Sequence, residues 1–186
     1  MKPIFLITYF VWFIFECLIN RLMRSKKQDK QHKDKHSLLL IWVTIFVAIF
    51  FSIHVSSNYH YPILDNIYIS YIGLIIIIIG TIFRLIILKS LGKYFTVDVT
   101  IKNNHRLKKD GFYKFLRHPT YFVSLITFVG FGISLNNWMS LIIVFLLITS
   151  VFMYRIKVEE KALIQEFGEE YLEYKKSTKG LIPFIY

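Results

Sequence analysis

The sequence predicts an all-α fold, a multi-pass transmembrane bundle of about five helices. Three observations carry this prediction. Of the 186 residues, 55% are hydrophobic and 18% aromatic, more apolar surface than a soluble domain of this length can bury. The apolar residues are gathered into runs near the roughly 20 residues a helix needs to cross the hydrocarbon core, rather than alternating at period 2 or 3.6. All the Lys and Arg residues except Lys2 and Arg84 lie in two alternate linkers and in the C-terminal tail.

Taken in order, the spans are Ile4–Ile19, Leu38–Val55, Ile67–Leu88, Tyr121–Leu135 and Trp138–Tyr154. The first is not a typical signal peptide, because it lacks a small-residue cleavage site and further spans follow it. The fourth is short, and Asn136-Asn137 after it predicts a tight helical hairpin into the fifth. Loop Asn20–Ser37 carries seven Lys/Arg, Lys89–Thr120 eight, and the tail from Arg155 six, whereas Ser56–Asn66 and Asn136–Asn137 carry none. By the positive-inside rule the basic face is cytoplasmic, with the N-terminus outside and the C-terminus inside. An odd number of spans requires opposite termini, which agrees.

Several functional classes are excluded. The net charge of +11 does not indicate nucleic acid, because it sits in linkers between spans and no soluble nucleic-acid-binding pattern accompanies it. The bilayer is the predicted partner of the Lys-rich loop. The single cysteine, Cys17, lies within a span, so no disulfide framework exists. No G-x-G-x-x-G, Walker loop or serine elbow is present. His32 and His36 lack a third ligand, so no metal site is expected. Glu16 and Arg84 are ionisable residues within spans, but both lie near the inner ends, where snorkelling accounts for them.

The chemistry is expected in the two largest cytoplasmic segments. The loop before the fourth span holds Asp98, His105, Arg106, Asp110, Gly111, Tyr113 and Arg117-His118-Pro119-Thr120-Tyr121. Pro119 suits the first position of a helix, which puts Arg117 and His118 at a helix N-terminus beside the membrane. That arrangement reads either as an anion-holding terminus or as an ordinary juxtamembrane basic cluster. In the tail, Arg155 and Glu159 share a helix face, with base before acid, the weaker order for an i,i+4 pair. At the bilayer boundary they are better placed to contact a polar ligand. Six of the twelve acidic residues fall within Glu159–Glu173 and can pair with the basic loop, drawing both segments together.

These residues resemble the isoprenylcysteine carboxyl methyltransferase family of integral membrane enzymes. The matching stretches are His105-Arg-Leu-Lys-Lys-Asp-Gly-Phe-Tyr113, Arg117-His-Pro-Thr-Tyr121, Arg155-x-x-x-Glu159-Glu160, Phe167-Gly-Glu-Glu-Tyr-Leu-Glu-Tyr174 and Gly180-Leu-Ile-Pro-Phe-Ile185. The resemblance implies S-adenosylmethionine as cofactor and a pocket formed by the loop before the fourth span and the C-terminal helix. It places His105, Leu107, Lys108, Tyr113, His118, Pro119, Tyr121 and Glu159 at the cofactor and Arg155 at the methyl acceptor. Residues 1–88 are then N-terminal helices, and 89–186 the catalytic region. Five spans resembles the shorter family members. The sequence departs from the eukaryotic pattern at Asp98, where those members carry a glutamine; a carboxylate accepts but cannot donate.

The implied reaction is methylation of the carboxylate of an isoprenylcysteine-like or other amphipathic acceptor. Such an acceptor needs no general base, so alignment of the reactants carries the rate. A guanidinium such as Arg155 orients a carboxylate without losing its own proton. Two alternatives stand beside it: methyl transfer to a phospholipid amine or a thiol on the same scaffold, and a non-enzymatic membrane protein in which Arg155 and Glu159 form an interface pair.

Overall fold

The computed structural model describes residues 3–22, 30–31, 35–91, 100–101 and 107–181. Among the described residues six α-helices form: α1 (Pro3–Leu22), α2 (Lys35–Asn58), α3 (Tyr68–Leu91), α4 (Pro119–Ser134), α5 (Trp138–Phe167) and α6 (Glu169–Ser177). A two-residue antiparallel ladder pairs Lys30–Gln31 with Thr100–Ile101. Among the described residues, three stretches are long and apolar enough to cross a membrane: Ser37–Asn58, Tyr68–Leu91 and Trp138–Phe167. The apolar parts of α1 and α4 are shorter, Pro3–Ile19 and Pro119–Ser134. Large apolar side chains such as Leu6, Phe10, Phe50, Ile75 and Leu146 remain exposed around the bundle, the surface expected where the solvent is lipid.

The first five helices alternate in direction. Phe5 of α1 meets Tyr71 near the start of α3, with ring centroids 5.4 Å apart, whereas Glu16 reaches Arg84 near its end. At one end of the bundle the hairpin residues Asn136 and Asn137 dock on the 59–64 loop. Asn136 accepts from the Ile63 and Leu64 amides and donates to the Leu64 carbonyl at 2.8 Å. It adopts a left-handed conformation (φ 47°), which asparagine tolerates. Asn137 caps α5 by accepting from the Ser140 amide at 3.1 Å and donates to the Tyr59 carbonyl at 2.7 Å. Among the described residues this end carries no Lys or Arg, and Tyr59, Tyr61, Tyr68 and Trp138 are exposed on it, as in the aromatic belt of a membrane interface.

Small residues let the inner helices approach closely, the usual solution where lipid is as apolar as leucine. Gly73 of α3 lies against the Ser134 amide and Gly130 carbonyl of α4, and Gly80 lies against Thr127. Between α2 and α5, Ser140 donates to the Ser52 carbonyl at 2.7 Å and Ser52 to the Ser140 carbonyl at 3.3 Å. Helix α1 is held on α4 by Trp12 against Phe128 at 5.0 Å and by Tyr9 Oη and Ser134 Oγ at 2.5 Å.

One expectation is corrected. Glu16 and Arg84 do not snorkel: Arg84 Nη1 donates to both Glu16 carboxylate oxygens at 2.6 Å. In a low-dielectric surrounding each satisfies the other more effectively than a distant headgroup can.

A methyl group added at Gly73 would stand 2.3 Å from the Ser134 amide nitrogen, whereas at Gly80 the nearest obstacle is the Thr127 hydroxyl, which can rotate. Gly73→Ala should therefore lower stability by about 1–3 kcal/mol, and Gly80→Ala by less. Thermal unfolding in detergent checks both.

Candidate active site

The segment entering α4 is fixed from both sides. Gly111, at φ 60°, opens a 3₁₀ turn over Gly111–Lys114 that buries Tyr113. Tyr174 of α6 donates to the Tyr113 carbonyl at 2.6 Å. After α6 the chain returns alongside residues 115–118: the Arg117 amide donates to the Lys179 carbonyl at 2.8 Å and the His118 amide to that of Gly180 at 3.2 Å. Leu181 then enters the core.

Glu160 is the centre of this assembly. Arg117 Nε donates to its Oε1 at 2.8 Å and Lys175 Nζ to its Oε2 at 2.5 Å, while His118 Nε2 lies 3.4 Å from Oε1. Arg117 Nη1 also donates to the Lys175 carbonyl at 3.1 Å and to that of Thr178, capping the C-terminus of α6. Burial alone pushes the Glu160 carboxyl up, but the donors His118, Lys175 and Arg117 outweigh it and hold the group well below the usual carboxylate range. Lys109 pairs with Glu170 at 2.8 Å, so the basic loop and the acidic tail are drawn together as the charge pattern predicts.

Glu159, the next residue, faces the other way. Its Oε2 accepts from Tyr121 Oη at 3.0 Å and lies 3.9 Å from His118 Nδ1. Arg155 is 1% exposed; its Nε donates to Tyr121 Oη at 3.4 Å and its Nη1 to Ser37 Oγ at the start of α2. Tyr121 thus links the two residues singled out from the tail. Burial, then the charge of the neighbouring glutamates, pushes the Tyr113 and Tyr171 hydroxyls far up. Burial pushes Tyr174 up to about 12 against the opposing charge of Arg117. All three stay protonated at physiological pH.

Arg117, His118, Tyr121, Arg155, Glu159 and the three tyrosines line one cavity of about 520 Å³. Its polar half is walled by Leu107, Lys108, Tyr113, His118, Tyr121, Glu159, Tyr171 and Tyr174. Its apolar half runs between α1 and α2, along Leu6, Phe10 and Phe13 on one side and Ile41, Trp42, Phe46, Ile49 and Ile53 on the other. Arg155 lines the cavity too and, through Ser37 and Tyr121, stands where the halves meet.

With the site assembled, the chain can be compared with known proteins. The model of the isoprenylcysteine carboxyl methyltransferase (ICMT) family matches residues 72–165. The chain belongs to this family. A probable protein-S-isoprenylcysteine O-methyltransferase of rice, Oryza sativa subsp. indica, is 36% identical over 120 residues, 63% of this chain and 63% of that protein. The Saccharomyces cerevisiae protein-S-isoprenylcysteine O-methyltransferase is 37% identical over 116 residues, 61% of this chain and 48% of that one. A solved structure of the eukaryotic intramembrane Ras methyltransferase ICMT aligns with a TM-score of 0.59 and 27% identity over 83% of this chain and 54% of that chain. This ICMT family member, an integral membrane protein, therefore matches its curated relatives over less than two thirds of their length.

Of the residues singled out in the sequence, Leu107, Lys108, Tyr113, His118, Tyr121, Glu159 and Arg155 share the cavity. Pro119 opens α4 and is buried, but does not line it. His105, Arg106 and Asp98 lie outside the described residues. Sequence reasoning missed Ser37, whose hydroxyl gives no signal at the end of a basic loop. It also passed over Tyr171, although Tyr171 stands in a quoted motif; its hydroxyl is buried without a partner among the described residues and the residue lines the polar half.

Because the folded-state value of Glu160 is depressed, its contribution to stability is full above the ordinary glutamate value near 4.5. It is lost as pH falls through the folded value. Glu160→Gln should cost about 3 kcal/mol at pH 7 by leaving Arg117 without its charge partner. The difference from wild type should narrow below pH 4.5, as thermal unfolding across pH would show.

Proposed function

We propose that this chain is an S-adenosylmethionine-dependent methyltransferase that esterifies the carboxylate of a lipid-linked, isoprenylcysteine-like acceptor at the cytoplasmic membrane surface. The observation that carries this reading is the single cavity joining a polar pocket to an apolar channel, with a guanidinium at the junction. Residues 89–186 supply the polar pocket, and α1 and α2 supply the walls of the channel. All five helices α1–α5 are read as spans, with the N-terminus outside. The ends of α1, α3 and α5 and the start of α2 lie at the site's end of the bundle, beside the three basic segments.

The residues of the polar half fit the cofactor. Glu159 offers a carboxylate to a cation or to ribose hydroxyls, Tyr113 and Tyr171 give aromatic faces, and the Tyr171 hydroxyl, without a partner among the described residues, can both donate and accept. His105, Leu107, Lys108, His118 and Tyr121 complete the expected set, and Pro119 contributes by shaping the helix start. S-adenosylmethionine, when bound, supplies an electrophilic sulfonium methyl whose C–S bond breaks as the new C–O bond forms, leaving a neutral thioether.

Arg155 holds the acceptor carboxylate in the apolar mouth of the channel. Ser37 and Tyr121 fix the plane of its guanidinium, so orientation is set before the acceptor arrives. It stays protonated throughout, and because a carboxylate is already a nucleophile, no residue has to take a proton. The apolar channel takes the lipid part between α1 and α2, against the rings of Phe13, Trp42 and Phe46. Amine and thiol acceptors must first lose a proton, so a rate flat above neutral pH favours the carboxylate and a steep rise favours the alternatives.

Glu159→Ala should weaken S-adenosylmethionine binding at least ten-fold, measured by equilibrium binding to detergent-purified protein. Arg155→Ala should leave that affinity nearly intact and lower kcat at least a hundred-fold, with Ser37→Ala acting in the same direction more weakly. Unchanged cofactor affinity in the first variant would remove Glu159 from the site. Incubating membranes with methyl-labelled donor should put label into a lipid-linked fraction from which mild base releases it as methanol; base-stable label would exclude an ester.

A further inference from the structure

Among the described residues, the exposed large apolar side chains lie on α1–α5 or in the 59–67 loop, with two exceptions, Phe112 and Phe115. They are 38% and 71% exposed, an unfavourable placement for two aromatic rings if water surrounds them. Their neighbours point the other way, since Tyr113 and Leu116 are buried. The 3₁₀ turn explains the pattern, because residues three apart in such a turn eclipse one another. The turn opens at Gly111, and the Phe115 amide donates to the Phe112 carbonyl at 3.4 Å. One face therefore sends Tyr113 and Leu116 inward, while the other sends Phe112 and Phe115 outward.

The depth of the turn follows from what Tyr113 touches. It packs with Ile87 of α3 and Val123 of α4, against Leu91 at the end of α3. From Tyr68, on the aromatic end of the bundle, to Ile87 the helix rises about 28 Å. That is close to the roughly 30 Å of the hydrocarbon core. Leu85 and Ile86, on the same turn of α3, are each 47% exposed, where lipid is the solvent. Phe112 is one peptide, about 3.8 Å, from Tyr113, so the outward rings stand where hydrocarbon gives way to headgroups. Lys114 Nζ lies over the Phe115 ring, 5.9 Å from its centroid. An ammonium on a flexible stem can reach the headgroup phosphates from there while the ring goes deeper.

We propose that Phe112, Lys114 and Phe115 form a membrane-surface anchor on the segment that enters α4. The partner is the lipid surface at the site's end of the bundle: the two rings insert among headgroups and upper acyl chains, and Lys114 meets phosphate. The anchor bears on the site because the same turn is part of its wall. The Tyr113 carbonyl accepts from Tyr174 Oη at 2.6 Å, and the Phe115 carbonyl accepts from the Lys179 amide at 3.2 Å. Lipid thus supports the polar half of the cavity from outside, while the Glu160 cluster supports it from within. None of this depends on which reaction the cavity performs.

A nitroxide attached to a cysteine reports depth, because oxygen concentrates in lipid and a nickel chelate stays in water. With the full chain carrying Cys17→Ser in lipid nanodiscs, labels go singly at Phe115→Cys, at Glu173→Cys on exposed α6, and at Ile126→Cys on the exposed side of α4. Collisions with the chelate should be about five-fold rarer at 115 than at 173, as expected for insertion by roughly 5 Å or more. Oxygen collisions at 115 should approach those at 126. Equal chelate exposure at 115 and 173 overturns the anchor. Shielding of 115 from both reagents means that protein covers it, and overturns lipid as the occupant. A label at Lys114→Cys should also be shielded, and should become as exposed as 173 once Phe112→Ser and Phe115→Ser are added. Unchanged shielding there overturns the assignment to the two rings. The native chain gives a measurement that needs no cysteine: a diazirine partitioned into the bilayer should label residues 111–117 on irradiation, and label confined to the helices overturns the proposal.

Discussion

Three segments that are distant in the chain meet on the carboxylate of Glu160, and the polar half of the cavity has no wall without that meeting. Arg117 and His118 come from the start of α4, Lys175 from α6, and Glu160 from the part of α5 that extends beyond its apolar stretch. A carboxylate this buried is tolerated because its partners supply more than desolvation removes. The same guanidinium that holds Glu160 also holds the last carbonyls of α6. The short helix is thereby tied back over the pocket, with Tyr171 and Tyr174 turned inward.

Adjacent residues on one helix consequently do different work. Glu160 faces the clamp, while Glu159, roughly 100° around the helix, faces the cavity with Tyr121. Arg155, one turn earlier, shares the face of Glu159 and is held by a hydroxyl from each neighbouring helix. One helix face thus carries Glu159 and Arg155 about 6 Å apart along its axis, a spacing suited to the transfer proposed for them. The bilayer sets the direction of approach: charge is cheap at the basic end of the bundle and expensive between α1 and α2, so the channel wall stays apolar except at Glu16 and Arg84.

The described residues among those quoted from the C-terminal half gather around one cavity because their segments have strong local determinants. Pro119 starts α4, Gly111 permits the 3₁₀ turn, and Gly168, at φ 53°, separates α5 from α6. The acidic tail and basic loop found each other through Lys109–Glu170 and Arg117–Glu160. The N-terminal half gave no comparable sign. Ser37 is a serine among lysines, and Trp12, Trp42 and Phe46 are aromatic residues in aromatic-rich spans. Glu16 and Arg84 are separated by 68 positions, so the partnership that distinguishes them from snorkelling side chains is invisible in either segment alone.

The amino-acid sequence by itself determined that apolar runs become helices, that their basic ends gather on one side, and that both motif-bearing segments emerge there. Hydrophobic length and charge asymmetry are local or additive properties and can be read along a chain. Only the tertiary structure decided that the pocket continues into a channel, that Arg155 is held by Ser37, and that Glu16 and Arg84 pair directly in the cavity wall. Those outcomes depend on how closely α3 can approach α4 at Gly73 and Gly80 and on where α1 then comes to rest. Such distances are set by side-chain packing between helices, which no single stretch of sequence encodes.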